Sequence, residues 1–332
     1  MTSTRTSILA ATSLVGLISL TACGSGSASV GSGSDSGSGG GSFEPKGNVT
    51  MVVPFGAGGG SDASGRAIAA GLEKAQPGLK INTENREGGS GAVGYSYFMS
   101  KQGNPNFLLP AETALLALPI STNVKFDYTT FTPIMKVGDD YTLAVVEASS
   151  PWKTCTDVIN AAKTGKVVAA VSGATSLDKV VFSLTEQATG VKFDQVPFES
   201  GDEVLAALLG KQIQIASLNP GEVVEQLKAG KLRALCSFSD ERYEYPELKD
   251  IPTAKEQGVD VSYAQFRGLI APGKLKDAEK QYWIDASKKF VESDDAKKYI
   301  ADNYLQPNAL FGDDFTAYLK SNSEDLKKAL GK

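Results

Sequence analysis

Short apolar runs alternate with longer amphipathic stretches along most of this chain, and glycine-rich segments join them. NVTMVVPF (48–55) has the continuous β-branched and apolar character of a buried strand. GAGGGSD (56–62) follows as a tight loop, then ASGRAIAAGLEKAQPG (63–78) as a helix stopped by Pro77-Gly78. The order repeats in LKINTEN (79–85), REGGSGA (86–92) and VGYSYFMSKQ (93–102). It returns in KVVAAV (166–171), SGATS (172–176) and LDKVVFSLTEQATG (177–190). Strands FLL (107–109) and IQIASL (213–218) lead into Glu112-Thr113 and Asn219. Strands alternating with helices predict an α/β fold of βαβ units around largely parallel sheets. Ligands of such sheets sit at the carboxyl ends of strands, where the next helices expose unpaired N–H groups and a positive dipole end. Glycine lets a ligand approach those amides, and three such loops in one chain point to an anion site.

The first residues follow a different pattern. The apolar run ILAATSLVGLISL (8–20) follows Arg5 and falls short of the roughly 20 residues that span a bilayer. It suits the core of a secretory signal. The run closes in L-T-A-C (20–23), which resembles the bacterial lipoprotein processing box and makes Cys23 the expected lipidation site. An ordinary signal with an incidental cysteine is the alternative. GSGSASVGSGSDSGSGGGS (24–42) is a flexible tether, so structured sequence is expected from Phe43. Signal peptide 1–22 and tether 23–42 together predict an extracytoplasmic protein held on the outer face of the cell membrane.

About 290 residues remain to fold, enough for two domains. Without Arg5 the charge is −6, with no basic patch, so no nucleic-acid partner is expected. Histidine is absent, which removes Ser-His-Asp and Cys-His catalysis and most catalytic zinc sites. Enzymes that use carboxylates or lysine alone survive this exclusion. Cys155 and Cys236 are either a disulfide, as export allows, or two separate buried thiols. Two dinucleotide-type patterns occur, Gly58-x-Gly60-x-x-Ala63 with Glu84 beyond it, and Gly89-x-Gly91-x-x-Gly94. Both are weak in a chain of 35 glycines, and no Lys-Ser/Thr completes a phosphate loop. No cofactor and no metal are expected.

The motifs, taken in order, resemble those of the extracytoplasmic solute receptors of tripartite tricarboxylate transporters, the TctC or Bug-type binding proteins. V-P-F-x-x-G-G-x-x-D is matched by Val53-Pro54-Phe55-Gly56-Ala57-Gly58-Gly59, with one extra glycine before Ser61-Asp62. E-N-R-x-G-x-x-G is matched by Glu84-Asn85-Arg86-Glu87-Gly88-Gly89-Ser90-Gly91. VPFESGDEVLAALLGKQIQ (196–214), LKAGKLRAL (227–235), DIPTAKEQGVD (250–260) and FRGLIAPGKL (266–275) follow in the family's order. The resemblance implies a two-lobed Venus-flytrap, each lobe a mostly parallel sheet flanked by helices. Lobe one would hold residues 43–145 and 265–332, and lobe two residues 146–264. Hinge crossings are expected at 143–148 and 263–267, with the C-terminal helices packed on lobe one. The implied role is capture of a small di- or tricarboxylate, or an aromatic acid, by a monomer that delivers it to membrane permease subunits. A flytrap serving an ABC permease or a sensor kinase, and a carboxylate-dependent extracytoplasmic enzyme, are the competing readings.

The family pattern places Phe55 and the amides of Gly58, Gly59, Gly60 and Ser61 against one ligand carboxylate. A carboxylate beside an anion site would repel it, so Asp62 reads as a loop organiser before it reads as a ligand contact. Ser90 and the Glu112-Thr113 turn either add side-chain or amide donors from lobe one or serve as a cap and an ordinary turn. Ser172, Gly173, Ala174, Thr175 and Ser176 would clamp the far end of the ligand from lobe two. At Lys179, where the family often has histidine, the lysine either adds charge or faces solvent. Phe198 would line the cleft or the core, and Asn219 would be a polar contact at the cleft edge. Arg267 offers a planar fork either to a ligand carboxylate or to an ion pair across the hinge.

Overall fold

The computed structural model describes residues 43–171, 176–198 and 201–332. The expected signal, Cys23 and tether lie outside the described residues, as do Ser172, Gly173, Ala174 and Thr175. The first lobe opens with β1 (Val49–Val53), α1 (Gly60–Ala75), β2 (Ile81–Asn85), α2 (Ala92–Met99), β3 (Phe107–Ala111), α3 (Ala114–Ser121) and β4 (Phe131–Asp140). The second runs through β5 (Leu143–Glu147), α4 (Cys155–Thr164), β6 (Val168–Val171), α5 (Leu177–Thr189) and β7 (Asp194–Pro197). It continues with α6 (Gly201–Leu209), β8 (Ala216–Leu218), α7 (Pro220–Lys228) and β9 (Leu232–Ser237). The chain then returns to the first lobe as β10 (Gln265–Pro272), α8 (Asp277–Glu292), α9 (Asp294–Asp302), β11 (Gln306–Phe311) and α10 (Gly312–Ala329).

The first-lobe sheet has the order β11-β4-β10-β3-β1-β2. Strand β1, paired on both sides by β2 and β3, buries Val49, Met51, Val52 and Val53 completely, which explains its apolar run. Contrary to the expectation of mostly parallel sheets, only β1–β2 and β1–β3 pair parallel there. Strand β10 runs antiparallel to both β3 and β4, and β11 antiparallel to β4. The reason is the lobe exchange: β4 carries the chain out of this lobe and β10 brings it back. In the second lobe β5 pairs antiparallel with β8 and β9, while β6 pairs parallel with β7. A parallel bridge between Ala169 and Ile215 joins these two pieces.

The outward crossing takes only Tyr141 and Thr142, between β4 and β5. Residues 143–147, expected at the hinge, already belong to the second sheet. The crossing is buried although it is polar: Asp139, Asp140, Tyr141 and Thr142 are all buried between the two strands' cores, so composition alone does not mark the change of lobe. Helices α8 and α9 pack on α1, as a C-terminal return to lobe one requires. Helix α10 does more. It packs on β4 and α3, and it also reaches α5 of lobe two, where Gln187 Nε2 donates to the Ala329 carbonyl at 2.6 Å. Cys155 and Cys236 are joined as a disulfide that ties the start of α4 to β9 within lobe two.

Candidate functional site

The chain leaves β1 at Val53 and enters α1 at Gly60, so part of the glycine loop winds into the helix itself. Gly59 is the N-cap, with φ −78° and ψ 173°, and no side chain caps this helix end. The first-turn N–H groups of Gly60 and Ser61 find no acceptor among the described residues, and both residues line a cleft with Gly59. Asp62 faces elsewhere. Its Oδ2 accepts from Gly58 N–H at 3.0 Å and Arg66 Nε at 2.9 Å, and its Oδ1 accepts from Asn85 Nδ2 at 2.9 Å. The hydrogen bond from Arg66 leads these contacts in holding the Asp62 carboxyl down at about 2, against the opposing effect of burial. Gly58 and Asp62 therefore build the loop and do not line the cleft.

The second loop bends more sharply. Gly88, Gly89, Ser90 and Gly91 all have positive φ, and Ser90 is the one non-glycine among them. This turn brings Gly88 and Ser90 to the cleft wall. A Cβ on Gly91 would stand 3.0 Å from Phe55 Cζ, so the missing side chain leaves room for the Phe55 ring, which also lines the cleft.

The base of the cleft is ionic. Arg267, on β10, donates from Nε and Nη2 to Asp140 Oδ2 at 3.0 and 2.6 Å, and from Nη1 to Glu112 Oε2 at 2.8 Å. With the Gln265 amide turned to accept, its oxygen lies 3.0 Å from both Nη1 and Nη2. These contacts occupy all the donors of the guanidinium. Burial works against the Arg267 charge, but Asp140 and Glu112 raise its pKa and keep it ionised. Burial also pushes Asp140 up, against the pull of Arg267. Ser61 Oγ donates to the same Glu112 oxygen at 2.5 Å. Arg267 thus forms its ion pairs with two acids of its own lobe beside the hinge, and not across it as one of the two readings expected. From lobe two, Asn219 Nδ2 reaches Asp140 Oδ1 at 2.5 Å, so one polar chain links Ser61, Glu112, Arg267, Asp140 and Asn219 across the lobes.

Lobe two supplies the opposite wall from the starts of three helices: Ser176 to Asp178 at α5, Gly201 at α6, and Asn219 with Glu222 at α7. Glu222 Oε2 accepts from Asn219 N–H at 3.0 Å, and the missing Gly201 side chain leaves room for its carboxylate. Burial leads in raising the Glu222 carboxyl to about 7; Asp140 and Asp178 push the same way, while the Asn219 N–H and Arg267 oppose them. Ser217 Oγ donates to Thr142 Oγ1 at 2.6 Å, closing the floor beside the hinge. The cleft has a volume of about 560 Å³, the size of a small-molecule site.

Phe55, Gly59, Gly60, Ser61, Ser90, Ser176, Asn219 and Arg267 are thus gathered around one cleft. Thr113 is instead buried as the N-cap of α3, and Phe198 is half-buried against the lobe-two core. Lys179 lies off the cleft wall and donates to Gln195 on β7. The sequence reading passed over Asp140, Asp178, Glu222, Gln265 and Glu87, and took Glu112 only as part of a turn. Asp178 and Glu222 had a legible signal, an acidic residue in the first turn of a helix that follows a strand. Among the described residues no group of His, Cys, Asp or Glu could hold a metal ion, and no helix is long and apolar enough to cross a membrane.

Residues 65–330 match the family described as the tripartite tricarboxylate transporter family receptor, TctC. A Cupriavidus necator protein, "UPF0065 protein in gbd 5'region", is 26% identical over 273 residues, covering 79% of this chain and 80% of that one. Protein BugT of Bordetella pertussis is 27% identical over 224 residues, covering 64% and 67%. A crystal structure of a TctC solute binding protein from Polaromonas superposes with a TM-score of 0.73 at 26% identity, covering 86% of this chain and 98% of that one. R. palustris Rpa4515 with adipate superposes with a TM-score of 0.76 at 24% identity, covering 86% and 97%.

Proposed function

Because the chain belongs to the TctC family of tripartite tricarboxylate transporter receptors, a family of receptors and not of enzymes, we propose that its cleft captures a small carboxylate. The uncapped start of α1 carries this reading. Gly60 and Ser61 present N–H groups with no acceptor among the described residues to the cleft, at the positive end of a 16-residue helix. Hydrogen bonds to an ionised acceptor contribute about 1.5–3 kcal/mol each, so a few amides give useful affinity. Gly59 and Ser90 flank that seat, and residues 172–176 are proposed to close on the ligand from lobe two. The neighbour holding adipate shares the fold, and at its identity no more than that.

Thermal denaturation of the full chain against a panel of organic acids tests the reading. An acid present at 100 times its dissociation constant adds about 2.7 kcal/mol of stability. A panel in which no carboxylate moves the midpoint, while a neutral sugar or nucleoside does, removes the proposal. The finer assignment follows the sequence: a receptor lipidated at Cys23, tethered outside the membrane by residues 24–42, and serving the permease of a tripartite transporter. Replacing Cys23 with serine is expected to move the protein from the membrane fraction to the soluble one. Equal membrane retention in that variant rules the anchor out.

A further inference from the structure

Acids line both walls of the cleft, Glu87 and Glu112 from lobe one and Asp178 and Glu222 from lobe two. On the lobe-one side the start of α1 carries no acid towards the cleft, because Asp62 is spent on Gly58, Asn85 and Arg66. On the lobe-two side α5 and α7 each carry an acid in the first turn, Asp178 and Glu222, and both acids line the cleft. Glu87 and Glu112 add to the lining, with Asp140 behind them. Among the described residues Arg267 is the one basic residue of the lining, and its donors are all committed to Asp140, Glu112 and Gln265. The undescribed segments 172–175 (SGAT) and 199–200 (ES) contain no basic residue.

Helix dipoles offset part of this charge. Each contributes roughly half a positive charge at its N-terminus, so α1, α5, α6 and α7 together supply about two. Five carboxylates against one guanidinium still leave the cleft negative. A second or third ligand carboxylate would enter that field with no free cation to meet it. No group of these acids among the described residues could hold a metal ion, which leaves an organic cation as the complement.

We propose that the solute carries a cationic nitrogen as well as a carboxylate, with the carboxylate at the start of α1 and the nitrogen against Glu222 and Asp178 of lobe two. This rests on the reading of the cleft as a carboxylate receptor, and it replaces the di- or tricarboxylate expectation with an amino-acid-like one. Glu222 faces Asp140 of β4, Arg267 of β10 and Asp178 of α5, and burial, the largest influence, pushes its carboxyl up to about 7. A cationic partner stabilises the ionised form, so its binding releases a proton from Glu222 and strengthens as pH rises from 6 to 8. A dicarboxylate would show the reverse slope, since it binds best when Glu222 is neutral.

The test is calorimetric titration of the full chain with matched pairs: glutarate and L-glutamate, butyrate and 4-aminobutyrate, hexanoate and 6-aminohexanoate. The nitrogen-bearing member of at least one pair is expected to bind tenfold or more tighter, with affinity rising between pH 6 and 8. Glu222→Gln, whose amide oxygen can still accept the Asn219 N–H, is expected to erase both the preference and the slope. Equal or tighter binding of the deaminated members overturns the proposal and leaves the carboxylate reading standing. Failure of every nitrogen-bearing member to bind also overturns it. Binding of hexylamine alone, with no carboxylate bound, overturns the carboxylate reading instead.

Discussion

Asp62 shows how one side chain sets a loop that it does not share with the ligand. Its oxygens hold Gly58 on one side and Asn85 on the other, and Asn85 in turn holds the Phe55 carbonyl. Asp62→Ala leaves the Gly58 N–H and one of the two Asn85 N–H donors without their acceptor, and is expected to lower stability by about 1–3 kcal/mol. The carboxyl is depressed to about 2 in the folded state, below its usual 3.8. Its contribution is therefore complete above pH 3.8 and fades as pH falls through 2. Equilibrium urea denaturation of wild type and variant between pH 2 and 6 checks this: the gap should shrink at the acid end. A gap that stays constant with pH would show that the charge is not involved. That an acid beside an anion seat would serve the loop was legible from repulsion alone. The commitment of the Arg267 fork was not, because its partners lie 127 and 155 residues away.

At the scale of elements, the alternation of strand, glycine loop and helix was plain in the sequence, and the structure places α1, α2 and α5 after those loops. The start of α1 shifted from Ala63 to Gly60 because a glycine run carries no periodicity to mark where winding begins. Helix α1 also hides a packing constraint. A Cβ on Gly71 would overlap the Phe290 ring of α8, so the two helices approach closely only because glycine stands there. Alanine favours helix by about 1 kcal/mol over glycine, whereas overpacking costs about 1–3 kcal/mol. Gly71→Ala is thus expected to destabilise the protein despite the better helix former. Phe290→Leu should relieve that cost, giving a favourable coupling in a double-mutant cycle of melting free energies. Additive effects would refute the contact. Strand direction was less legible than helix placement, since nothing in a strand's composition says whether its neighbour arrives from the same lobe or returns from the other.

On the scale of the whole molecule, two crossings, the Ser61-to-Asn219 polar chain and helix α10 all join the lobes. The motif order placed the cleft between them, but α10's reach to α5 escaped the reading because Gln187 and Ala329 meet through a backbone carbonyl that no side chain announces. The central claim is that a solute carboxylate sits at the start of α1. At Gly59 the backbone is extended, at φ −78° and ψ 173°, so a larger residue fits the chain without strain and projects beside that seat. The most direct measurement is calorimetric titration of wild type and Gly59→Leu with the acid that most raises the melting temperature. One acid should bind per wild-type chain, with affinity lost by a hundredfold or more in a variant that melts at the wild-type temperature without ligand. Equal affinity in the two proteins would contradict the claim.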